Sequence, residues 1–342
     1  MTSAAPSLAL AAFLAPIQGY LDRPDVVEIC INRPGEVFVE DPRGWEQVEL
    51  PGLSYEFLSG LVSTISSHAR QKVGAETPLL SASLPGGERV QVVLPPAVPA
   101  GTISLTIRKP AHRTFSLEAL IGAGMFDAVE TDPEALGAED ARLLELHRDR
   151  RWPEFLAGAV AAKKNILISG ATGSGKTTLS KALIPLIPSN ERLITIEDTL
   201  ELELPQPNVV RLLYSKGGQG DAKVTARDLL EASLRMRPDR IFLQELRDAS
   251  AFHYLRNVNT GHSGSITTIH ANSARLAFEQ LALLVKESEA GRDLSRAEIK
   301  AMIGQMIDVV LQVRKTPQGR RVTEVWFDPR RKLEGPTPET AP

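Results

Sequence analysis

Residues 169–181, SGATGSGKTTLSK, hold three glycines and two lysines directly after the apolar run NILIS. The spacing fits G-x-x-x-x-G-K-[ST], the pattern of a phosphate-binding P-loop. Because glycines lack side chains, such a loop can turn sharply and point the backbone N–H groups of residues 173–176 at phosphate oxygens. The helix expected to follow adds the positive end of its dipole. The stretch therefore predicts a site for a nucleoside triphosphate.

Individual side chains of this loop have predicted tasks. Lys176 is expected to reach the β- and γ-phosphates as a point charge, and the Thr177 hydroxyl is placed to hold Mg²⁺. The predicted cofactors are therefore ATP and Mg²⁺, with Thr177 and Glu245 as metal ligands. The predicted cofactor-binding residues are Gly170, Thr172, Gly173, Ser174, Gly175, Lys176, Thr177 and Thr178.

Three further apolar runs end on titratable residues. RLITIE ends at Glu197, RIFLQE at Glu245 and SITTIH at His270. Because ligands of open α/β sheets bind beyond the carboxyl ends of the strands, we expect these residues to gather near the P-loop. A carboxylate beside Mg²⁺ can hold a coordinated water or deprotonate the attacking one. Both glutamates are candidates for the general base, with Glu197 slightly favoured, and His270 is a candidate sensor of the γ-phosphate.

Hydrolysis also requires a positively charged group that offsets the negative charge of the departing phosphates. An arginine often supplies it, commonly from another subunit. Arg89 in GGERVQVVLPP and Arg108 in TIRKP are the candidates in the first part of the chain. The predicted catalytic residues are Lys176, Glu197, Glu245, His270, Arg89 and Arg108.

The elements that must position these groups follow from the apolar pattern. From about residue 153, apolar strands alternate with helical segments, which predicts a mainly parallel sheet covered on both faces. DVVLQV and RVTEVWF predict an antiparallel hairpin at the edge of this sheet. The predicted fold class is α/β, with a P-loop domain over residues 153–342 and a smaller N-terminal α+β domain over residues 1–125. Residues 126–152 are highly charged and predict a linker that contains a helix.

Composition limits the function further. The chain has 342 residues, a net charge of −3 and 42% hydrophobic residues, which does not indicate a sequence-specific nucleic-acid binder. Its one cysteine, Cys30, lies in an apolar stretch and is expected to be a buried thiol in a reducing compartment. No apolar segment approaches the length of a membrane span. These features predict a cytoplasmic protein whose membrane contact, if it has any, is peripheral.

Four segments now stand in a recognisable order. GATGSGKTT, TIEDTLEL, LRMRPDRIFLQELRD and TGHSGSITTIHANS resemble the Walker A, Asp box, Walker B and His box of the secretion ATPase superfamily. LRMRPDR and the moderate length point to the traffic ATPases of type IV secretion systems, the VirB-eleven family. EICINRPGEVFVE, GGERVQVVLPP and TISLTIRKP are similar to that family's N-terminal domain, so the resemblance covers nearly the whole chain.

The resemblance implies a RecA-like ATPase domain in a homohexameric ring, with nucleotide held between the two domains of each protomer. It implies a motor that powers pilus assembly or substrate export from the cytoplasmic face of the inner membrane. The implied partners are inner-membrane channel components and a coupling protein. Glu197 and Glu245 match the Asp-box and Walker B acids, and His270 matches the His-box residue. Gln244 departs from the family pattern, in which a small residue commonly precedes the Walker B glutamate.

Other functions fit parts of the pattern. A pilus-retraction or type II secretion ATPase would share the four motifs, although a single cysteine excludes the four-cysteine metal module common in type II relatives. A nucleic-acid translocase on the same core would need a basic channel with aromatic side chains, and aromatic residues make up only 5% of the chain. An assembly scaffold would bind ATP without hydrolysing it.

Overall fold

The computed structural model describes residues 7–110, 115–129, 136–218 and 220–332. Both chain ends and part of the predicted linker lie outside these ranges. The strands are β1 Glu28–Ile31, β2 Glu36–Asp41, β3 Gly44–Glu49, β4 Leu79–Ser83, β5 Arg89–Val93, β6 Ser104–Arg108, β7 Ile166–Gly170, β8 Leu193–Glu197, β9 Val209–Leu213, β10 Arg240–Leu243, β11 Glu245–Leu246, β12 Ile266–Ile269, β13 Val309–Thr316 and β14 Gly319–Phe327. The helices are α1 Leu8–Asp22, α2 Tyr55–Ala69, α3 Leu117–Gly122, α4 Ala138–Arg148, α5 Trp152–Ala161, α6 Lys176–Leu183, α7 Ala226–Ser233, α8 Ser250–Asn259, α9 Ala274–Glu287 and α10 Arg296–Met306.

The first sheet is six-stranded and antiparallel, in the order β3-β2-β1-β6-β5-β4. The predicted hairpin of β1 and β2 is present, with Gly35 at φ +87°, a left-handed conformation that favours glycine. Helices α1 and α2 begin at serines, Ser7 and Ser54, whose hydroxyls accept backbone N–H bonds of the first turn. Their apolar faces form one buried cluster with the strands of this sheet.

The later part of the chain forms the predicted parallel strands. One group has the order β10-β8-β9 and the other β11-β12-β7-β13-β14. Residues 240–246 pass from one group to the other. Strand β10 pairs with β8, and β11, which follows after one residue, pairs with β12. Gln244 lies at this switch. Its N–H donates to the Ile196 carbonyl at 3.1 Å, and its own carbonyl accepts from the Thr268 hydroxyl at 3.1 Å.

Strand β7, which precedes the P-loop, is central in its sheet. It pairs in parallel with β12 on one side and β13 on the other, and β13 forms the predicted antiparallel hairpin with β14. All five residues of β7 are buried. Two separate apolar clusters line this part of the structure, one with α7 to α10 and one with α5 and α6, as expected for a sheet between helical layers. The predicted α/β class is confirmed.

Polar contacts join the first sheet to the residues that precede β8 and β10 in the β10-β8-β9 group. Arg192 has no exposed surface, and its Nη1 donates to Asn32 Oδ1 at 2.7 Å. Arg237 forms an ion pair with Glu40. The guanidinium carbons of Arg192 and Arg237 lie 5.8 and 5.7 Å from the centroid of the Trp45 ring. The domain limits at residues 125 and 152 stay predictions.

Two smaller predictions concern burial and helix length. Cys30 lies on β1 with no exposed surface, so its prediction as a buried thiol is confirmed. Across the residues that the structure describes, no helix is long and apolar enough to cross a membrane.

Candidate active site

The P-loop runs from the end of β7 to the start of α6, as its sequence predicts. Steric crowding explains its first glycine, because a Cβ at Gly170 would lie 2.5 Å from both the Ser174 hydroxyl and the Val313 carbonyl oxygen. Backbone conformation explains the last, because Gly175 has φ +109°. Both positions therefore exclude larger residues, and the loop can keep its N–H groups directed toward an anion.

Lys176 is buried in the first turn of α6. Its ammonium donates to the carbonyls of Gly170 at 2.9 Å and Ala171 at 3.3 Å. Burial lowers the pKa of Lys176, while the nearby carboxylate of Glu245 acts in the opposite direction. The loop thus holds a partly desolvated cation that can interact strongly with phosphate oxygens.

His270 and Glu245 lie in close contact with each other beside this lysine. His270 Nε2 lies 2.8 Å from Glu245 Oε1, and His270 Nδ1 lies 3.3 Å from Lys176 Nζ. The topology brings them together, since Glu245 begins β11 and His270 follows β12, the strand between β11 and β7. Only the backbone of Gln244 makes the strand-switch hydrogen bonds, so its unusual side chain does not prevent this placement of Glu245.

Glu197 is placed differently from the other predicted acids. It has no exposed surface, and one carboxylate oxygen accepts from the backbone N–H groups of Glu201 at 2.8 Å and Leu202 at 2.9 Å. The other oxygen accepts from the Thr195 hydroxyl at 2.8 Å. These bonds fix the loop after β8 and leave the carboxylate outside the lining of the P-loop cleft. Of the two predicted acids, only Glu245 therefore lines the cleft, and the choice of general base between them stays a prediction.

The cleft beside the P-loop has a volume of about 450 Å³, within the range of small-molecule sites. Most of the predicted cofactor-binding residues line it, together with Glu245 and His270. Sequence reasoning missed several other lining residues: Asp198, Glu201, Arg247, Thr268 and Arg320. Asp198 follows directly after Glu197, and Arg247 lies in the Walker B segment, so strand-end position could have identified both.

Arg247 connects the acidic groups of the cleft. It forms an ion pair with Asp198, lies 3.4 Å from Glu245 Oε2, and donates to the Tyr214 hydroxyl at 3.0 Å. Burial raises the pKa of Tyr214, which keeps this phenol neutral. Arg247 therefore holds the carboxylate of Glu245 from the side opposite the histidine.

Arg89 and Arg108 lie away from the P-loop cleft of their own chain. They are directly paired on β5 and β6 and line a separate cleft of about 490 Å³, together with Arg235 from the segment after α7. Arg235 Nη1 donates to the Ser81 hydroxyl at 2.8 Å, and Arg108 Nε lies 3.4 Å from Glu28 Oε2. The structure therefore gathers three arginines in one cleft, but it does not bring them to the chain's own P-loop.

The oxygen groups of the P-loop cleft fit a magnesium ion. Thr177 and Glu245 both line the cleft, and hydroxyl and carboxylate oxygens are ligands suited to this hard cation. In the described parts of the chain, no three His, Cys, Asp or Glu side chains converge as a metal centre. Mg²⁺ is usually held by one or two protein groups together with phosphates and water.

Comparison with known proteins gives concordant results. A family model described as "Type II/IV secretion system protein" matches residues 12–325. The chain is 51% identical to the "Type IV secretion system protein VirB11" of Bartonella quintana over 92% of both chains. It is 43% identical to the protein of the same description from Brucella suis, over 93% of this chain and 90% of the relative.

A solved structure matches equally well. The crystal structure of the VirB11 ATPase from the Brucella suis type IV secretion system, in complex with sulphate, superposes with a TM-score of 0.91. The match covers 95% of this chain and 99% of the solved one, at 42% sequence identity.

Proposed function

The chain belongs to the type II/IV secretion system proteins, and within them to the VirB11 family, and from this membership we propose that it is the hexameric motor of a type IV secretion system that hydrolyses Mg-ATP. It is an ATPase with a RecA-like domain and a smaller N-terminal domain. The relatives of 43–51% identity favour type IV secretion over the pilus-retraction, type II and nucleic-acid translocase alternatives.

One observation carries the assignment of the catalytic groups. Lys176, His270 and Glu245 form a continuous polar chain at the end of the P-loop, with links of 3.3 and 2.8 Å. The lysine binds the terminal phosphates, the histidine contacts the γ-phosphate, and the glutamate accepts a proton from the attacking water. Buried Glu197 acts indirectly, by holding the loop that carries Asp198 and Glu201.

In this proposal Thr177 and Glu245 would hold Mg²⁺, which when bound would supply positive charge beside the phosphates. The carboxylate of Glu245 keeps a fixed direction because His270 and Arg247 contact its two oxygens.

Arg89 and Arg108 serve a neighbouring subunit in this proposal. Among the described residues, their cleft is lined by three arginines and by no acidic residue, so it suits an anion. Because the chain's own P-loop lies elsewhere, a second copy must supply the phosphates that these arginines contact. This requirement supports a ring of identical subunits, in which each nucleotide site is completed by its neighbour.

The ring is further proposed to work at the cytoplasmic face of the inner membrane. Its proposed partners are inner-membrane channel components and the coupling protein of the secretion system. The membership of its relatives in type IV secretion systems supports this placement.

Phosphate release by the purified protein tests the proposed function. Lys176→Ala removes the cation of the P-loop and is expected to abolish turnover. Lys181→Ala is the matched control, because Lys181 lies on the same helix and pairs with Glu203 at the surface. Wild-type turnover in Lys176→Ala would contradict the assignment. A wild-type protein that binds ATP without releasing phosphate would instead support a scaffold.

A further inference from the structure

Arg320 and the proposed hydrolytic groups approach the P-loop from strands on opposite sides of β7 in the sheet order. The sheet order is β11-β12-β7-β13-β14, with the P-loop after the central strand β7. Glu245 and His270 come from β11 and the end of β12, on one side of β7. Arg320 comes from β14, on the other side. The same cleft is therefore bounded by the acid and histidine at one end and by an arginine at the other.

Two contacts place the Arg320 side chain against the P-loop backbone at Gly173 and Gly175. Its Nε donates to the Gly173 carbonyl at 3.2 Å. Its Cδ lies 2.9 Å from the position that a Cβ would take at Gly175. The side chain is exposed, and within the described ranges no ion pair to it is present. Most of its guanidinium is thus free to contact a ligand in the cleft.

The direction of a bound nucleotide follows from these positions, if the proposed function holds. The terminal phosphates must lie near Lys176, His270 and Glu245. The phosphate chain then crosses the P-loop, and the nucleoside emerges beside the hairpin of β13 and β14. We propose that Arg320 binds the nucleoside end of ATP, with its planar guanidinium stacked on the base.

The chemistry of arginine suits this role. A guanidinium is planar and weakly hydrated, so it stacks on aromatic faces as well as forming hydrogen bonds. Stacking does not select one base by hydrogen bonding, because every base has a π-face. Arg320 therefore adds affinity for nucleoside-bearing phosphates over the bare phosphate chain.

Calorimetric measurement of the affinity for two probes separates this role from a phosphate contact. ADP carries a nucleoside, whereas inorganic tripolyphosphate does not. Arg320→Ala is expected to weaken ADP binding about tenfold, the scale of one stacked base. Tripolyphosphate binding is expected to change no more than in Arg321→Ala. The latter variant is the control, because it removes the same charge from the next residue, which donates to the Arg320 carbonyl at 2.9 Å and does not line the cleft.

Three results would overturn the inference. Equal weakening of ADP and tripolyphosphate by Arg320→Ala would make the arginine a phosphate ligand. Unchanged binding of both probes would show that it contacts neither. If the wild-type protein bound neither probe, the proposed function itself would fail. Loss of both probes in Lys176→Ala, with wild-type binding intact, would show that the P-loop site is sound and that only the role of Arg320 is at issue.

Discussion

Arg192 donates a 2.7 Å hydrogen bond to Asn32 across the contact between the first sheet and the P-loop domain, although both side chains are buried. The same guanidinium donates to the Met236 carbonyl at 2.9 Å and to Asn208. One fully desolvated cation is therefore satisfied by acceptors from both parts of the chain, which makes it the centre of their attachment.

Replacement of Arg192 should loosen this attachment. Arg192→Ala leaves the acceptors of Asn32 and Asn208 buried with fewer donors, so we expect the free energy of unfolding to fall by about 3 kcal/mol. Denaturant titration measures the change. Arg227→Ala is the control, because its pair with Glu231 is exposed and should contribute less than about 0.5 kcal/mol. Equal losses in the two variants would show that the buried network adds no stability.

The two predicted acids should respond differently to amide substitution. Glu245→Gln removes a proton acceptor within the cleft, so kcat should fall by about 10²- to 10⁴-fold while the midpoint of unfolding stays unchanged. Glu197→Gln weakens acceptance from two backbone N–H groups and should lower the free energy of unfolding by about 1–3 kcal/mol. Steady-state kinetics and urea titration of both variants check this. A stable Glu197→Gln protein without turnover would restore Glu197 as the base.

Mixed assemblies test whether the arginines act between subunits. The double variant Arg89→Ala/Arg108→Ala keeps its own P-loop, and Lys176→Ala keeps its arginines. If each arginine pair serves a neighbour, mixing two inactive proteins should restore measurable phosphate release. If both groups act within one chain, the mixture should stay inactive, because every subunit would lack one essential part.

Stability should depend on pH through Glu28. Burial raises the pKa of this carboxyl to about 7, although Arg108 opposes the shift. The folded state therefore binds the proton more tightly than the unfolded chain, whose carboxyl has a pKa near 4.5. Tighter proton binding by Glu28 therefore stabilises the folded state fully below about pH 4.5. This stabilisation is lost as pH rises to about 7, which lowers the free energy of unfolding by about 3 kcal/mol. Thermal unfolding of Glu28→Gln should lack this decline, whereas the exposed control Glu49→Gln should keep it. An unaltered pH profile in Glu28→Gln would contradict the assignment.

Local patterns were sufficient to predict much of the fold. The P-loop, its strand and its helix follow from glycine spacing and an apolar run, which are features of adjacent residues. The edge hairpin followed from two strand-like segments, DVVLQV and RVTEVWF, on either side of the turn TPQG. Strand β9 was not predicted, because its burial alternates over only five residues and depends on pairing with β8.

The site was predicted less completely, for a physical reason. Glu197 and Glu245 both end apolar runs, and the pattern cannot distinguish a carboxylate that faces a cleft from one enclosed by its own loop. That difference depends on the path of residues 198–202. The position of Arg320 in the cleft likewise depends on strand order, which brings it into contact with Gly173, a residue 147 positions earlier in the sequence.

The crowding around Gly170 has a consequence for reading mutational scans. A methyl group there would collide with the backbone of β13 before any nucleotide arrived. Loss of function at that position would accordingly report a displaced strand and a displaced Ser174 in the P-loop, and would not measure a direct contact between residue 170 and phosphate. Selection of this chain for a new anionic substrate would have to start from Lys176 and the residues around it, since the first glycine belongs to the architecture of the sheet.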